Sequence, residues 1–249
     1  MGRNFDRVAL RYDEARGGEQ RGSAIAEELE PHLPANADAP IVEVGVGTGV
    51  VAAALRRRGR RVVGVDIAME MLRVASRRVP GAVARYDGWR LPFASGALDA
   101  GYLVWVIHLV EDQGALLREV ARVLRPSGRL IIATINREPD DEFSRITEPM
   151  YRTLLGDSWA RDDLDRVAGV ASSVELREVG RVPGIPFVAE TSGVHQAQEI
   201  ETRNGSIFWD LSDEAWTAHV APVLDRLRAM GDVPVAREQT HEILVLEKG

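Results

Sequence analysis

Short apolar runs alternate with amphipathic stretches between residues 41 and 135. Five runs are rich in β-branched residues and are short enough to be buried strands, at 41–44, 61–65, 82–86, 98–104 and 129–135. Three intervening stretches, at 50–58, 68–78 and 113–124, carry apolar residues at helical spacing. This alternation predicts right-handed βαβ units and a mainly parallel sheet that is covered by helices on both faces.

The flanking regions predict more helix and fewer strands. Residues 3–33 predict two helices, the second at 24–33, and residues 136–169 predict irregular helices. Further strands are predicted at 174–182, with a possible continuation at 187–189, and at 242–247, with an amphipathic helix at 213–230. We therefore expect a single domain over residues 1–249. It would comprise N-terminal helices (1–39), a core (40–135), an insert (136–210) and a C-terminal helix and strand (211–249).

Composition excludes several classes of protein. The 249 residues carry a net charge of −7 at pH 7, so the chain has no general attraction for nucleic-acid phosphates. Cysteine is absent, which excludes disulfides, thiolate zinc sites and cysteine nucleophiles. No apolar run is long enough for a membrane span, and the N-terminus shows no signal-peptide core. We expect a cytoplasmic protein without a nucleic-acid partner, present as a monomer or a homodimer.

A glycine-rich segment follows the first predicted strand. Residues 43–49 have the sequence Glu-Val-Gly-Val-Gly-Thr-Gly and lead directly into a predicted helix. Glycines let the backbone turn sharply and approach a ligand closely, and the N-terminus of a helix favours a negative group. Such a loop also serves tight packing in many α/β proteins, so by itself it is only a weak sign of binding.

Two carboxylates stand where the next two predicted strands end. Asp66 ends the second strand, and Asp87, followed by Gly88, ends the third. The carboxyl ends of parallel strands meet at one edge of a sheet and form the ligand crevice there. Local explanations exist, a helix N-cap for Asp66 and an Asx-turn for Asp87. The coincidence of both carboxylates with the glycine-rich segment at one sheet edge nevertheless favours a site for a ligand that contains a ribose.

Five ordered motifs resemble those of class I S-adenosylmethionine (SAM)-dependent methyltransferases of the UbiE-like, type 11 kind. They are Glu43 to Gly49, Asp66 with the following Met69 and Met71-Leu72, Asp87 to Phe93, Leu98-Asp99, and Arg122 to Gly128. The resemblance covers about residues 40–135. It departs at Ile107-His108-Leu109, where the family often has two histidines, and at Ser127, where the family has glycine.

The resemblance implies a fold and a cofactor site. The fold is a Rossmann-like three-layer αβα sandwich with seven strands in the order 3-2-1-4-5-7-6, the last antiparallel, with N-terminal lid helices and an insert after strand 5. The implied cofactor-binding residues are Tyr12, Glu43, Gly45, Gly47, Gly49, Asp66, Ile67, Met71, Asp87, Gly88, Trp89 and Leu103. Asp66 would hold the ribose hydroxyls, and Asp87 would accept a hydrogen bond from the adenine amino group.

Three further roles follow from the same resemblance. Ile67 and Trp89 would enclose the adenine ring, whose faces prefer flat or apolar partners. The Leu103 carbonyl would lie near the amino group of SAM. Tyr12 would contact the cofactor from a lid helix, although packing of an amphipathic helix explains it equally well.

The implied activity is transfer of a methyl group from SAM to a small-molecule acceptor, quinone-like or a secondary metabolite, with S-adenosylhomocysteine (SAH) as product. The acceptor would attack in line with the S–CH₃ bond, so orientation supplies much of the catalysis. His108 is the candidate base for an acceptor that must lose a proton, and a polar wall residue is the alternative. We expect no metal site, because a loop or helix N-terminus explains Asp140-Asp141-Glu142.

Three other functions are alternatives to this one. A protein of this fold could bind SAM without methylating, as a cyclase or as a binding protein. A nicotinamide-dependent reductase would need a third glycine at GxGxxG spacing, but Val50-Val51 follow Gly49 here. A nucleic-acid methyltransferase would need an Asn/Asp-Pro-Pro-aromatic motif after the fourth strand, and that strand ends in Leu103-Val104-Trp105. We expect the N-terminal helices and residues 136–209 to supply the acceptor pocket.

Overall fold

The computed structural model describes residues 5, 9, 13, 17–86, 89–135, 141–203, 205–239 and 241–249, without the side chains of residues 135, 189 and 239. The chain divides into two compact units. The first comprises Met1–Thr134, Arg161–Gly184 and Glu242–Gly249, and the second comprises Ile135–Ala160 and Ile185–His241.

The strands and helices are numbered in chain order. The strands are β1 (Ile41–Val44), β2 (Val62–Asp66), β3 (Val83–Arg85), β4 (Leu98–Val104), β5 (Leu124–Ile135), β6 (Leu176–Pro183), β7 (Phe187–Thr191), β8 (Val235–Gln239) and β9 (His241–Lys248). The α-helices are α1 (Gly18–Leu29), α2 (Val50–Arg57), α3 (Met69–Arg78), α4 (Gln113–Val123), α5 (Glu142–Leu155), α6 (Leu164–Ser172), α7 (Gly193–Glu201), α8 (Asp213–Ala215) and α9 (Ala221–Ala229).

The first unit is built on a seven-stranded sheet with the order β3-β2-β1-β4-β5-β9-β6. Neighbours among β1 to β5 pair in parallel, whereas β9 runs antiparallel to β6. Since β7 and β8 pair with each other in a separate sheet, β9 is the seventh strand of the main one. The predicted order 3-2-1-4-5-7-6 with an antiparallel last strand is therefore confirmed.

Alternate residues of β1 face two different cores. Ile41 packs in a cluster with apolar residues of α1, α2 and α3, whereas Val42 and Val44 pack in a cluster with residues of α4 and α6. Helices thus cover both faces of the sheet, which is why the strands are almost entirely apolar. The predicted three-layer αβα architecture is confirmed.

The second unit has its own apolar core, formed by helices α5, α7 and α9. Phe143, Met150, Phe208 and Leu227 are buried in it. The predicted continuation of strand 6 at 187–189 is β7, which instead pairs antiparallel with β8. The sequence did not predict β8, because most of its residues are exposed and show no burial pattern.

The helix predicted at 213–230 is interrupted in the structure. A π-helical turn at Trp216–Val220 separates α8 from α9. Pro222 lies in the first turn of α9 and has no N–H to donate to the carbonyl four residues earlier, so the regular ladder is broken there. Both parts of the helix belong to the second compact unit.

The N-terminal helix that the structure describes begins earlier in the sequence than predicted. Helix α1 starts at Gly18 rather than at Ala24, and a 3₁₀ turn at Glu30–His32 completes it. The first helix predicted within 3–33 falls largely outside the described residues. Among the helices that the structure describes, none combines the length and the apolar character needed to cross a bilayer.

Candidate cofactor site

The segment Gly45 to Gly49, called the glycine loop below, leaves the end of β1. Gly45, Gly47 and Gly49 have φ values of 78°, 53° and 80°, which lie in the left-handed region that favours glycine. The N–H groups of Gly45 and Val46 both donate to the Val65 carbonyl, at 2.8 and 3.0 Å. These bonds fix the loop against the end of β2, just before α2 begins.

The three glycines meet different surroundings. A Cβ at Gly45 would lie 2.5 Å from a Val106 methyl carbon, and one at Gly49 would lie 3.0 Å from the Ala75 Cβ. A Cβ at Gly47 would meet nothing within 4 Å. Protein packing therefore explains Gly45 and Gly49, whereas the backbone at Gly47 borders open space that a ligand can enter.

The Asp66 carboxylate lies directly beside Gly47. Its Oδ2 accepts a hydrogen bond from the Gly47 N–H at 2.8 Å, and its Oδ1 accepts one from the Ala68 N–H at 2.9 Å. The bond to Ala68 is local and lies at the start of α3, as the alternative of an N-cap role for Asp66 would require. The N-cap residue of α3 is nevertheless Ala68 and not Asp66. The first bond brings two sequence-predicted site residues together at the carboxyl edge of the sheet.

Glu43 is buried beneath the glycine loop in contact with a second strand. Tyr102, its register partner on β4, donates a hydrogen bond from its hydroxyl to Glu43 Oε2 at 3.0 Å. Burial raises the pKa of Glu43 to about 8, although hydrogen bonds from Tyr102 and the Ala52 backbone oppose the shift. The Glu43 carboxyl group therefore holds a proton at neutral pH. The sequence predicts Glu43 as a site residue but not Tyr102.

The N-terminal segment is fastened to the glycine loop through Asp13. Thr48 donates from its hydroxyl to Asp13 Oδ1 at 2.6 Å, and Arg78 lies 2.6 Å from Asp13 Oδ2. Arg78 also donates to the Thr48 carbonyl at 2.9 Å, which closes a three-residue network. We call Asp13, Thr48 and Arg78 the N-terminal clamp. The residue predicted to contact the cofactor from this segment is Tyr12, which lies outside the described residues. The contact that the structure describes is made by the neighbouring residue, Asp13.

The expected adenine end of the site is described only in part. Asp87 and Gly88 lie outside the described residues, so their roles stay predictions. Ile67 and Trp89 are 42% and 68% exposed, which leaves two large apolar side chains open to solvent at this sheet edge. Two other predicted cofactor-binding residues, Met71 and Leu103, have buried side chains. Met71 packs with Ala9 and Ala68, and the Leu103 side chain is fully covered.

The segment Leu91–Phe93 is held by two residues of α4. Glu119 accepts a hydrogen bond from the Leu91 N–H at 2.7 Å, and Arg122 donates to the Phe93 carbonyl at 3.0 Å. The hydrogen bond from Arg122 lowers the pKa of Glu119. Two separate sequence motifs therefore meet here, and Arg122 has a structural role in holding the segment that follows Asp87 and Gly88.

The end of β4 lies against the glycine loop. Trp105 follows the strand with φ 54°, and Val106 supplies the methyl groups that pack on Gly45. His108 is partly buried in the 3₁₀ turn Ile107–Leu109, whose Ile107 carbonyl accepts a hydrogen bond from the Gln113 side chain at 3.1 Å. His108 therefore lies at the same sheet edge as the glycine loop.

The described residues fit an adenosyl cofactor with an amino-acid end. Open space borders the Gly47 backbone, and a carboxylate that can accept from hydroxyl groups lies next to it. Among the described side chains, the Trp105 indole N–H is a buried donor for which the structure shows no partner. Native structures seldom leave such a donor unpaired, since an unpaired buried donor is costly.

Comparisons with known proteins agree with this geometry. A family model described as a methyltransferase domain matches residues 42–132. The chain is 32% identical over 179 residues to the demethylmenaquinone methyltransferase of Corynebacterium kroppenstedtii, covering 70% of this chain and 72% of that protein. Matches to other curated relatives cover as little as 27% of the relative's length.

Solved structures share the fold. The cyclase SpnF superimposes with a TM-score of 0.63 at 16% identity, over 98% of this chain and 93% of SpnF. The geranyl diphosphate C-methyltransferase of Streptomyces coelicolor A3(2) superimposes with a TM-score of 0.52 at 20% identity, over 91% of this chain and 79% of that one. At such identities the likeness shows the fold alone.

Proposed function

Because this chain belongs to the class I SAM-dependent methyltransferases, we propose that it transfers a methyl group from SAM to a small-molecule acceptor of the quinone-like or secondary-metabolite class. The observation that carries the proposal is the open space at Gly47 beside the Asp66 carboxylate. The quinone-like acceptor is supported by the described activity of the Corynebacterium relative.

Several residues would hold the cofactor. The Gly47 backbone and Asp66 would bind the ribose, and Ile67 and Trp89 would cover the adenine ring with apolar surface. Asp87 would accept from the adenine amino group. The other proposed contacts are Tyr12, Glu43, Gly45, Gly49, Met71, Gly88 and the carbonyl of Leu103. When bound, SAM supplies a methyl group on a cationic sulfonium, and the chain needs only to orient an acceptor against it.

His108 is the proposed base for an acceptor that must lose a proton. It lies in the turn after β4, at the edge where the glycine loop and Asp66 are found. A base at this position would take the acceptor's proton while the glycine loop holds the cofactor. His108→Gln should lower kcat by roughly a hundredfold or more and leave the SAH dissociation constant unchanged. An unchanged kcat would exclude His108 as the base.

Labelled-methyl transfer tests the function itself. The purified protein is incubated with SAM carrying an isotopic methyl group and with demethylmenaquinol or a panel of small phenols and hydroquinones. We expect label in one of the acceptors, and loss of that label in Asp66→Asn. Turnover that proceeds equally well with SAH in place of SAM would indicate a non-methylating activity. Binding of NAD(H) but not of SAM would contradict the proposal.

A further inference from the structure

Trp105 combines two features that each destabilise the free protein. Its backbone has φ 54°, a conformation that bulky side chains rarely adopt. Its indole N–H is buried without a hydrogen-bond partner among the described residues. Strained backbone and unpaired buried donors persist mainly at functional sites, where a ligand supplies the missing interaction.

A positive charge lies against the same side chain. The Arg21 guanidinium carbon is 3.6 Å from the centroid of the Trp105 ring, in a cation–π contact. The indole N–H group is a donor only, so a ligand group that pairs with it must be an acceptor. An anionic oxygen suits this position best, because a charged acceptor strengthens the hydrogen bond from the indole and the guanidinium places a positive charge nearby.

The pair is adjacent to the glycine loop on two sides. Val106, the residue after Trp105, packs directly on Gly45. On the other side, α1 carries Arg21 and lies tightly on the start of α2, since a Cβ at Gly22 would be 2.8 Å from the Val50 Cβ. Trp105 and Arg21 therefore border the loop whose glycines, under the proposed function, contact the cofactor.

We propose that Trp105 and Arg21 bind the carboxylate at the amino-acid end of the cofactor. The indole N–H donates to a carboxylate oxygen, and the guanidinium places a positive charge beside it. The carboxylate is the one anionic group of SAM and of SAH, whereas the acids of the site, Asp66 and Asp87, suit its hydroxyl and amino groups. This assignment rests on the proposed function and adds the contact that distinguishes the whole cofactor from its nucleoside part.

Trp105→Phe tests the assignment, because it removes the N–H and keeps a flat ring beneath Arg21. We expect SAH binding, measured by calorimetry, to weaken about ten- to a hundredfold, the effect of losing a hydrogen bond to a charged group. Binding of 5′-methylthioadenosine, which lacks the amino-acid end, should change less than about twofold. Arg21→Gln should show the same selective loss.

Trp216→Phe is the matched control. The Arg203 guanidinium carbon lies 4.5 Å from the Trp216 ring centroid, outside the residues expected to supply either pocket, so SAH binding should match the wild type. NMR supplies a readout in the unaltered protein: the Trp105 indole proton, identified by its absence in Trp105→Phe, should shift downfield with SAH and not with 5′-methylthioadenosine.

Four outcomes are decisive. An indole proton that SAH does not move, or equal weakening of SAH and 5′-methylthioadenosine binding in Trp105→Phe, would overturn the carboxylate assignment. Wild-type binding of SAH with no effect of either variant would also overturn it and leave the proposed function intact. Wild-type protein that binds neither SAM nor SAH would instead refute the proposed function.

Discussion

Substituting glycines inside and outside the glycine loop separates packing from ligand binding, and Gly47→Ala is the most informative change. At φ 53° an alanine adopts the left-handed backbone at a cost of roughly 1–2 kcal/mol. Its methyl group would meet no protein atom within 4 Å, so no steric cost adds to this. The methyl group would instead occupy the open space in which we propose that the cofactor binds.

Two other alanine variants calibrate that prediction. Gly81→Ala, at φ 71° and also without a neighbour within 4 Å, should lose the same 1–2 kcal/mol of unfolding free energy. Gly45→Ala adds a clash, with methyl carbons of Val106 at 2.5 and 2.9 Å. Overpacking of this kind costs about 1–3 kcal/mol, so Gly45→Ala should lose about 2–5 kcal/mol in total.

Urea unfolding and SAH calorimetry measure the two effects separately. We expect Gly47→Ala to match Gly81→Ala in unfolding free energy but to bind SAH at least tenfold more weakly, a loss of about 1.4 kcal/mol or more. Gly81→Ala should bind SAH normally. If Gly47→Ala binds SAH as well as Gly81→Ala does, the space at Gly47 is not the cofactor site.

Three further predictions concern stability. Thr48→Val removes the hydroxyl that donates to Asp13 and should lower the unfolding free energy by about 1–3 kcal/mol. Thr48→Ser keeps the hydroxyl and should stay near the wild-type value. Equal losses of the two variants in urea unfolding would contradict the N-terminal clamp. Because the pKa of Glu43 is raised to about 8, its contribution to stability is fully present below about pH 4.5 and is lost as pH rises through 8. Between pH 5 and 8 the unfolding free energy of Glu43→Gln should therefore rise relative to that of the wild type by up to about 4 kcal/mol in unfolding titrations, and a constant difference would refute the buried acid. Ser127 has φ 59° at a position where the family has glycine, so Ser127→Gly should raise the unfolding free energy by about 0.5–1 kcal/mol and raise the unfolding midpoint. A lowered midpoint would contradict the strain at Ser127.

The parts of the fold that the sequence predicts are those with local or topological signals. Short apolar strands with intervening helices predict the parallel sheet, and parallel strands bring their carboxyl ends to one edge. That rule alone places Gly47 and Asp66 together, and the structure joins them by a hydrogen bond across 19 positions. Local backbone conformation explains why the family has glycine at position 127, since Ser127 adopts the left-handed backbone that glycine favours.

The parts that the sequence does not predict depend on pairs of side chains from distant elements. Glu43 and Tyr102 meet only because β1 and β4 are neighbours in a particular register. Trp105 lies under Arg21 through the packing of α1, for which no spacing rule exists. Pro222 could have indicated the interrupted helix at 213–230, because its missing N–H is visible in the sequence.

Calorimetric titration of the wild-type protein and of Asp66→Asn with SAM, SAH and NAD(H) tests the central claim most directly. We expect the wild type to bind SAM and SAH with one site per chain and to give no heat with NAD(H). Asp66→Asn, which keeps the shape but loses the charge that would hold the ribose hydroxyls, should bind SAH at least tenfold more weakly. A wild type that binds neither SAM nor SAH, or an Asp66→Asn variant that binds SAH as tightly as the wild type, would contradict the site described.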